Sequence, residues 1–184
     1  MLTIKNVSKA FDKSVLKDFS YEFPSKGLFL LRGESGAGKT TLLRLIAGLI
    51  KPDSGEIAIK KESRISMVFQ EARLVPYLTL LENLLLVKKE KDPQKAKEIL
   101  STLSLSDASE KFPSELSGGM KLRGAVARSL YYGGDLYLWD EPTKELDEEN
   151  RKKVISILQD LAKDHLVIAV THDEKLCGGT EIWI

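Results

Sequence analysis

The chain has 184 residues, 42% of them hydrophobic and 30% charged, enough for one well-buried core of ordinary globular composition. Its net charge of +1 offers no electrostatic footing for nucleic acid or for anionic lipid, so neither is expected as a direct partner. The lone cysteine, Cys177, excludes an internal disulfide, Met1-Leu2-Thr3-Ile4-Lys5 lacks the layout of a secretion signal, and Leu80 to Val87 is interrupted by Glu82 and Asn83 before it approaches membrane-spanning length; a soluble, cytoplasmic chain is expected.

In chain order, Leu2–Ile4, Ser20–Phe23 and Leu28–Leu31 read as strands, with turns at Asp12-Lys13-Ser14 and at Pro24-Ser25-Lys26-Gly27. The run Gly33-Glu34-Ser35-Gly36-Ala37-Gly38-Lys39-Thr40-Thr41 follows the third strand and fits GxxxxGK[ST] in full. Three glycines in six residues bury no side chain; their use is to let the backbone wrap closely, so that N–H groups converge on phosphate oxygens at a helix N-terminus. Thr41 to Ala47 then reads as a helix ending at Gly48, and Lys51-Pro52-Asp53-Ser54-Gly55 as a turn before the strand Glu56–Ile59. Ile65–Phe69 is a further strand with Gln70 at its carboxyl end.

From about Thr79 to Leu130 the pattern is helical. Thr79-Leu80-Leu81-Glu82 has the capping-box form, Asp92-Pro93 opens a helix over Gln94–Leu103, and Ser117 in Leu116-Ser117-Gly118-Gly119-Met120 caps another. Strands return at Leu136–Trp139, Leu166–Val170 and Glu181–Ile184, separated by a helix with Val154, Ile157, Leu158 and Leu161 as its core-facing stripe. The fold expected is a single α/β nucleotide-binding domain over residues 1–184, with an antiparallel β region at the N-terminus and a helical subdomain at about 72–131 inserted in the core.

Two stretches sharpen the chemistry. Asp140 and Glu141 end an apolar strand, where packing gives carboxylates no role; beside a phosphate loop, Asp140 suits a magnesium ion and Glu141 a general base for the attacking water. Ser117-Gly118-Gly119 presents bare N–H groups at a helix start, a second anion-receiving end far from the first in sequence. Either the chain folds these two ends together, or a second copy supplies one.

These motifs together resemble the ATP-binding subunit of an ABC transporter, over nearly the whole chain. Gly33–Thr41 is similar to the Walker A motif, Leu136–Glu141 to Walker B and Leu116–Met120 to the LSGGQ signature, while Gln70, Asp147 and His172 match the Q-loop, D-loop and switch residues. Phe11 falls where the family stacks an aromatic on adenine. The resemblance implies a P-loop ATPase of ABC type. In it, Gly36 to Thr41 and Lys39 hold the β- and γ-phosphates, and Thr40, Gln70 and Asp140 hold Mg²⁺ directly or through water. Glu141 works on the water and His172 senses the γ-phosphate. Ser117 and Gly119 reach the ATP of a second copy in a head-to-tail dimer closed around two ATPs, whose motion passes to transmembrane subunits beside Gln70; membrane contact comes only through those subunits.

Met120 replaces the signature glutamine, Lys144 and Glu145 replace small residues before Asp147, and Phe11 stands where tyrosine is common. The first is expected to be tolerated, the second to alter dimer contacts and slow hydrolysis, and the third to keep the stacking face. With Ile184 as the last residue of the sequence, the regulatory extension that some relatives carry is not expected. His165 reads as a loop residue, Trp139 and Trp183 as core, and Arg128 as support for the signature helix. A soluble ABC-type ATPase not coupled to transport is the alternative, opposed by the short insertion and single ATPase unit. A small kinase or GTPase leaves Leu116–Gly119 unexplained. Val68 to Thr79 resembles the importer branch for nitrate, sulfonates and taurine, which leans toward import of a small anionic solute.

Overall fold

The computed structural model describes residues 2–184. In chain order the elements are β1 (Leu2–Ala10), β2 (Ser14–Phe23), β3 (Gly27–Arg32), α1 (Lys39–Ile46), β4 (Ser54–Ile59), β5 (Ile65–Val68), α2 (Leu80–Leu85), α3 (Pro93–Thr102), α4 (Gly118–Tyr132), β6 (Leu136–Asp140), α5 (Glu148–Leu161), β7 (Leu166–Val170) and β8 (Thr180–Trp183), with single 3₁₀ turns at Ser106–Ala108 and Pro113–Glu115. Two sheets result: an antiparallel one in the order β2-β1-β4, and a parallel one in the order β5-β6-β7-β3-β8.

The central parallel strands β3, β6 and β7 are largely apolar along their length because both faces are covered. Their side chains alternate between two cores. Phe29, Leu31, Leu136, Leu138, Leu166, Ile168 and Val170 pack with α1 (Leu42, Leu43, Leu45, Ile46) and with Leu2, Ile4, Val7, Leu16 and Phe23 of the antiparallel sheet. On the opposite face Leu28, Leu30, Tyr137, Trp139, Val167 and Ala169 pack with residues of α2, α3, α4 and α5. Along α5, Val154 and Leu158 are buried, and Ile157 and Leu161 lie partly buried against the same core.

β1 and β2 run well past the short strands expected, and Ser14 opens β2 where a turn was expected. The cause is irregular register: the pairing shifts between Ile4 and Val7, and Asn6 and Asp18 each adopt φ of 47°. Those kinks are held by side chains, with Asn6 N–H donating to Ser20 Oγ at 2.8 Å and Asp18 N–H to Ser8 Oγ at 2.9 Å. A bulge breaks period-two alternation, so the sequence shows only the regular pieces. A second correction concerns Trp183, expected in the core but 71% exposed on the edge strand β8; Trp139, by contrast, is fully buried.

The caps of the helical region follow the sequence. Thr79 Oγ1 accepts from Glu82 N–H while Glu82 accepts from Thr79 N–H, and Asp92 accepts from Lys95 N–H at 2.9 Å ahead of Pro93. Asn83, which interrupts the apolar run of α2, is fully buried. Its Oδ1 accepts from Val75 N–H at 2.7 Å, and its Nδ2 donates to the carbonyls of Val75, Leu78 and Thr79 at 3.1, 3.1 and 2.9 Å. One amide thereby folds the irregular segment after Gln70 onto α2.

Asn83→Ala leaves those buried groups without partners and is expected to lower stability by about 2–3 kcal/mol. Urea unfolding measures it; a loss under about 0.5 kcal/mol would mean that water takes over the lost bonds.

Candidate functional site

In a parallel sheet the carboxyl ends of neighbouring strands open on one rim, which is where loops can gather a ligand. Leu31 of β3 and Asp140 of β6 both pair with Val170 of β7, so the turns after these strands emerge side by side. They line one cavity of about 610 Å³, to which Gly36, Gly38 and Lys39 come from the turn after β3, Gln70 from that after β5, Asp140 and Glu141 from β6, and His172 from β7. Phe11, 61% exposed in the turn between β1 and β2, lines it from the antiparallel sheet.

The glycine-rich turn is built around close approach. Gly38 sits at φ 97°, and a Cβ there would lie 2.7 Å from the Val15 carbonyl oxygen, so any larger residue collides with the backbone of β2. Lys39, only 6% exposed, donates from Nζ to the carbonyls of Gly33 and Glu34 at 2.9 and 2.7 Å. Gly33 and Glu34 thus brace the lysine, while Ser35, Thr40 and Thr41 line the cavity with it. Gly38 precedes α1 with no side-chain cap, which leaves the first N–H groups of that helix for another acceptor.

Asp140 is 2% exposed, and its Oδ1 is buried with no hydrogen-bond partner. Burial pushes its carboxyl above the ordinary 3.8, against a hydrogen bond from Thr40 and the charges of Arg44 and Lys39. Glu141 is likewise raised by burial, with His172 the main opposing charge; Glu141 Oε1 lies 3.5 Å from His172 Nε2. Its backbone is held in the left-handed region at φ 54°, with N–H donating to the Val170 carbonyl at 2.9 Å. That conformation costs a non-glycine residue about 1 kcal/mol and turns the carboxylate back over the rim. Among the described residues no three His, Cys, Asp or Glu side chains cluster as a metal cage. An acidic oxygen without a partner beside a threonine hydroxyl and the Gln70 amide is an all-oxygen donor set for a hard cation that keeps water or phosphate ligands, so these residues fit magnesium.

Ser117, Gly118, Gly119 and Asp147 do not line this cavity. Ser117 caps α4, its Oγ accepting from Met120 N–H at 3.3 Å, and Gly118 borders a separate cleft with Gln70, Lys121, Lys144 and Glu145. Of the two arrangements left open by the sequence, the chain does not fold its two phosphate-receiving ends onto one cavity. Asp147 caps α5, where hydrogen bonds from Asn150, backbone first, hold its carboxyl below the ordinary carboxylate value.

Residues missed in the sequence serve mainly as braces. Arg32, 9% exposed, donates to the carbonyls of Thr171, Asp173 and Leu176 at 3.2, 3.1 and 3.0 Å and so holds the turn carrying His172. An arginine ending the apolar run Leu28–Leu31 was the available signal. Val15 was also missed and lines the cavity, as does Lys144, which the sequence marked only as a departure from the family. Arg128 on α4, read in the sequence as support for that helix, donates to the carbonyls of Arg73 and Ala72 at 2.8 and 3.1 Å, tying the segment after Gln70 to the helix that Ser117 caps.

A carboxyl raised by folding destabilises the native state once ionised, an effect present above the raised value and absent well below the ordinary 3.8. Asp140→Asn is therefore expected to raise the melting temperature of the nucleotide-free protein at pH 7 and to lose that gain near pH 3, as calorimetry at the two pH values measures.

A family model described as ABC transporter matches residues 16–144. The aliphatic sulfonates import ATP-binding protein SsuB 1 of Paracoccus denitrificans (strain Pd 1222) is 40% identical over 178 residues, covering 94% of this chain and 73% of that protein. The glutamate/aspartate import ATP-binding protein GltL of Escherichia coli (strain K12) is 37% identical over 195 residues, covering 94% of this chain and 81% of that one. Among solved structures, the ATP-binding cassette MJ0796, described as a dimeric post-hydrolysis state bound to ADP and Pi, superposes with a TM-score of 0.89 at 29% identity, covering 100% of this chain and 94% of that chain. The chain thus belongs to the ABC transporter family as an ATP-binding, ATP-hydrolysing domain.

Proposed function

We propose that this chain energises a transporter by binding ATP at the rim of its parallel sheet and hydrolysing it in a head-to-tail dimer. The observation that carries the reading is the separation of the two phosphate-receiving ends: Lys39, Thr40, Asp140, Glu141 and His172 share one cavity, while the Ser117-capped start of α4 opens elsewhere. A second copy, turned head to tail, brings Ser117 and Gly119 of one chain to the triphosphate held by the other. The dimeric cassette described above supports that assembly.

In this reading Phe11 stacks on the adenine, and the N–H groups from Gly36 to Thr41 with the Lys39 ammonium hold the β- and γ-phosphates. Thr40, Asp140 and Gln70 hold Mg²⁺, which when bound neutralises charge on the phosphate oxygens. Glu141 accepts a proton from the water that attacks the γ-phosphorus, as the bond to the bridging oxygen of ADP breaks. His172, 3.5 Å from Glu141, orients that carboxylate and contacts the γ-phosphate. Asp147 stands at the dimer face, between the α5 start it caps and the partner. When the γ-phosphate leaves, the contacts that closed the dimer are lost, and the helical region of about 72–131 relays the motion to membrane-spanning partners.

No helix among the described residues is long and apolar enough to cross a membrane, so membrane attachment in this reading runs through those partners. The relatives, ATP-binding proteins for import of aliphatic sulfonates and of glutamate and aspartate, support import of a small anionic solute.

Glu141→Gln is expected to cut ATP turnover by roughly 10²–10⁴-fold while leaving ATP bound and the dimer trapped, read by phosphate release and gel filtration. Unchanged turnover removes Glu141 as the base. Because burial raises its carboxyl above the ordinary 4.5, wild-type turnover should fall as acidification protonates it at a pH above that value. Ser117→Ala should lower turnover without weakening nucleotide binding to dilute, monomeric protein; weaker binding there would assign Ser117 to its own chain's nucleotide and end the dimer reading.

A further inference from the structure

Lys144 departs from the family's small residue, and its surroundings give it a use. It lies on the turn after β6, where its N–H donates to the Glu141 carbonyl at 3.1 Å and the neighbouring Thr143 and Leu146 are buried. The side chain is exposed and lines the same cavity as Lys39, Thr40, Glu141 and His172. Among the described residues it joins no ion pair. Glu145, the obvious neighbour, reaches toward Gly118, where a Cβ would lie 2.7 Å from its Oε2; it borders the cleft there together with Lys144 but forms no ion pair with it. The lysine is therefore an uncommitted cation at the mouth of a phosphate cavity.

The charges that face this cavity make the point sharper. Asp140 and Glu141 together outweigh Lys39, and Lys144 restores the balance just as a polyanion has to enter. With the nucleotide placed as in the proposed function, its terminal phosphate lies between Lys39 and Glu141, on the side of the turn that carries Lys144, a position that a diphosphate leaves empty. An ammonium there attracts the triphosphate more than the diphosphate.

We infer that Lys144 is a second, in-chain ammonium ligand for the terminal phosphate of the bound nucleoside triphosphate, and that it sets the preference of the single chain for ATP over ADP. This rests on the nucleotide lying along the Lys39 loop, as in the proposed function. Lys144 also borders the cleft beside Gly118, so its contact has to be shown in a protein that is not dimerised.

The experiment is a competition titration of a fluorescent nucleotide from dilute, monomeric protein, using ADP and the β,γ-imido analogue of ATP on the wild type and on Lys144→Ala, Lys144→Arg and Lys39→Ala. Loss of Lys144 is expected to weaken binding of the triphosphate analogue about three- to tenfold, with ADP changed less than about twofold, and Lys144→Arg to recover the wild-type preference. The preference should also shrink in high salt. Equal weakening of both nucleotides, no change in either, or an effect confined to concentrated, dimerising protein overturns the inference. Lys39→Ala separates the two readings. If it leaves nucleotide binding intact, the proposed site itself is wrong. If it abolishes binding while Lys144→Ala binds like wild type, only the role of Lys144 falls.

Discussion

A carboxyl sealed at the end of a parallel strand, with one oxygen left without a protein partner, is the constraint around which this molecule is arranged. Burying Asp140 is unfavourable, and the fold tolerates it because the Thr40 hydroxyl and the charges of Arg44 and Lys39 partly offset the burial, while Oδ1 remains without a protein partner. The strain of Glu141 at φ 54° belongs to the same place. Both are costs that stability alone does not explain, and both become useful when a phosphate and a cation arrive. The site is therefore incomplete by construction, electrostatically as well as sterically.

The braces around it divide into rigid and adjustable parts. Arg32, with three backbone carbonyls to satisfy its guanidinium, fixes the turn that carries His172 to the strand that leads into the phosphate loop. The segment after Gln70 is tied instead to the helices, by Asn83 in α2 and Arg128 in α4. Gln70 lies between these two systems, lining both the nucleotide cavity and the cleft beside Gly118. The segment that follows Gln70 is thus bonded directly to the helical region.

Much of the site could be read in the sequence because its backbone demands are severe. Gly38 must be glycine to pass the Val15 carbonyl, and the caps Thr79, Asp92 and Ser117 act within three residues of themselves. Local rules of this kind are written in adjacent letters. The full length of β1 and β2 was not legible, since bulges at Asn6 and Asp18 erase the alternation that marks a strand. Trp183 misled for a related reason: a large apolar residue in an apolar run looks buried until the order of strands puts it on the edge.

What the sequence determined by itself was a set of local motifs: a glycine-rich loop ending in lysine and threonine, an acidic pair after an apolar strand and a serine-capped helix start with two glycines, each specified by residues close together in the chain. Only the tertiary structure decided that the glycine-rich loop and the Ser117-capped helix start border different clefts, that Arg32 and Asn83 hold the loops, and that Lys144 lines both clefts while Glu145 lines one. Those facts depend on which strand lies beside which and on where buried carbonyls find donors. Contacts between distant segments are chosen by packing and hydrogen-bond satisfaction across the whole chain, and no local stretch encodes them.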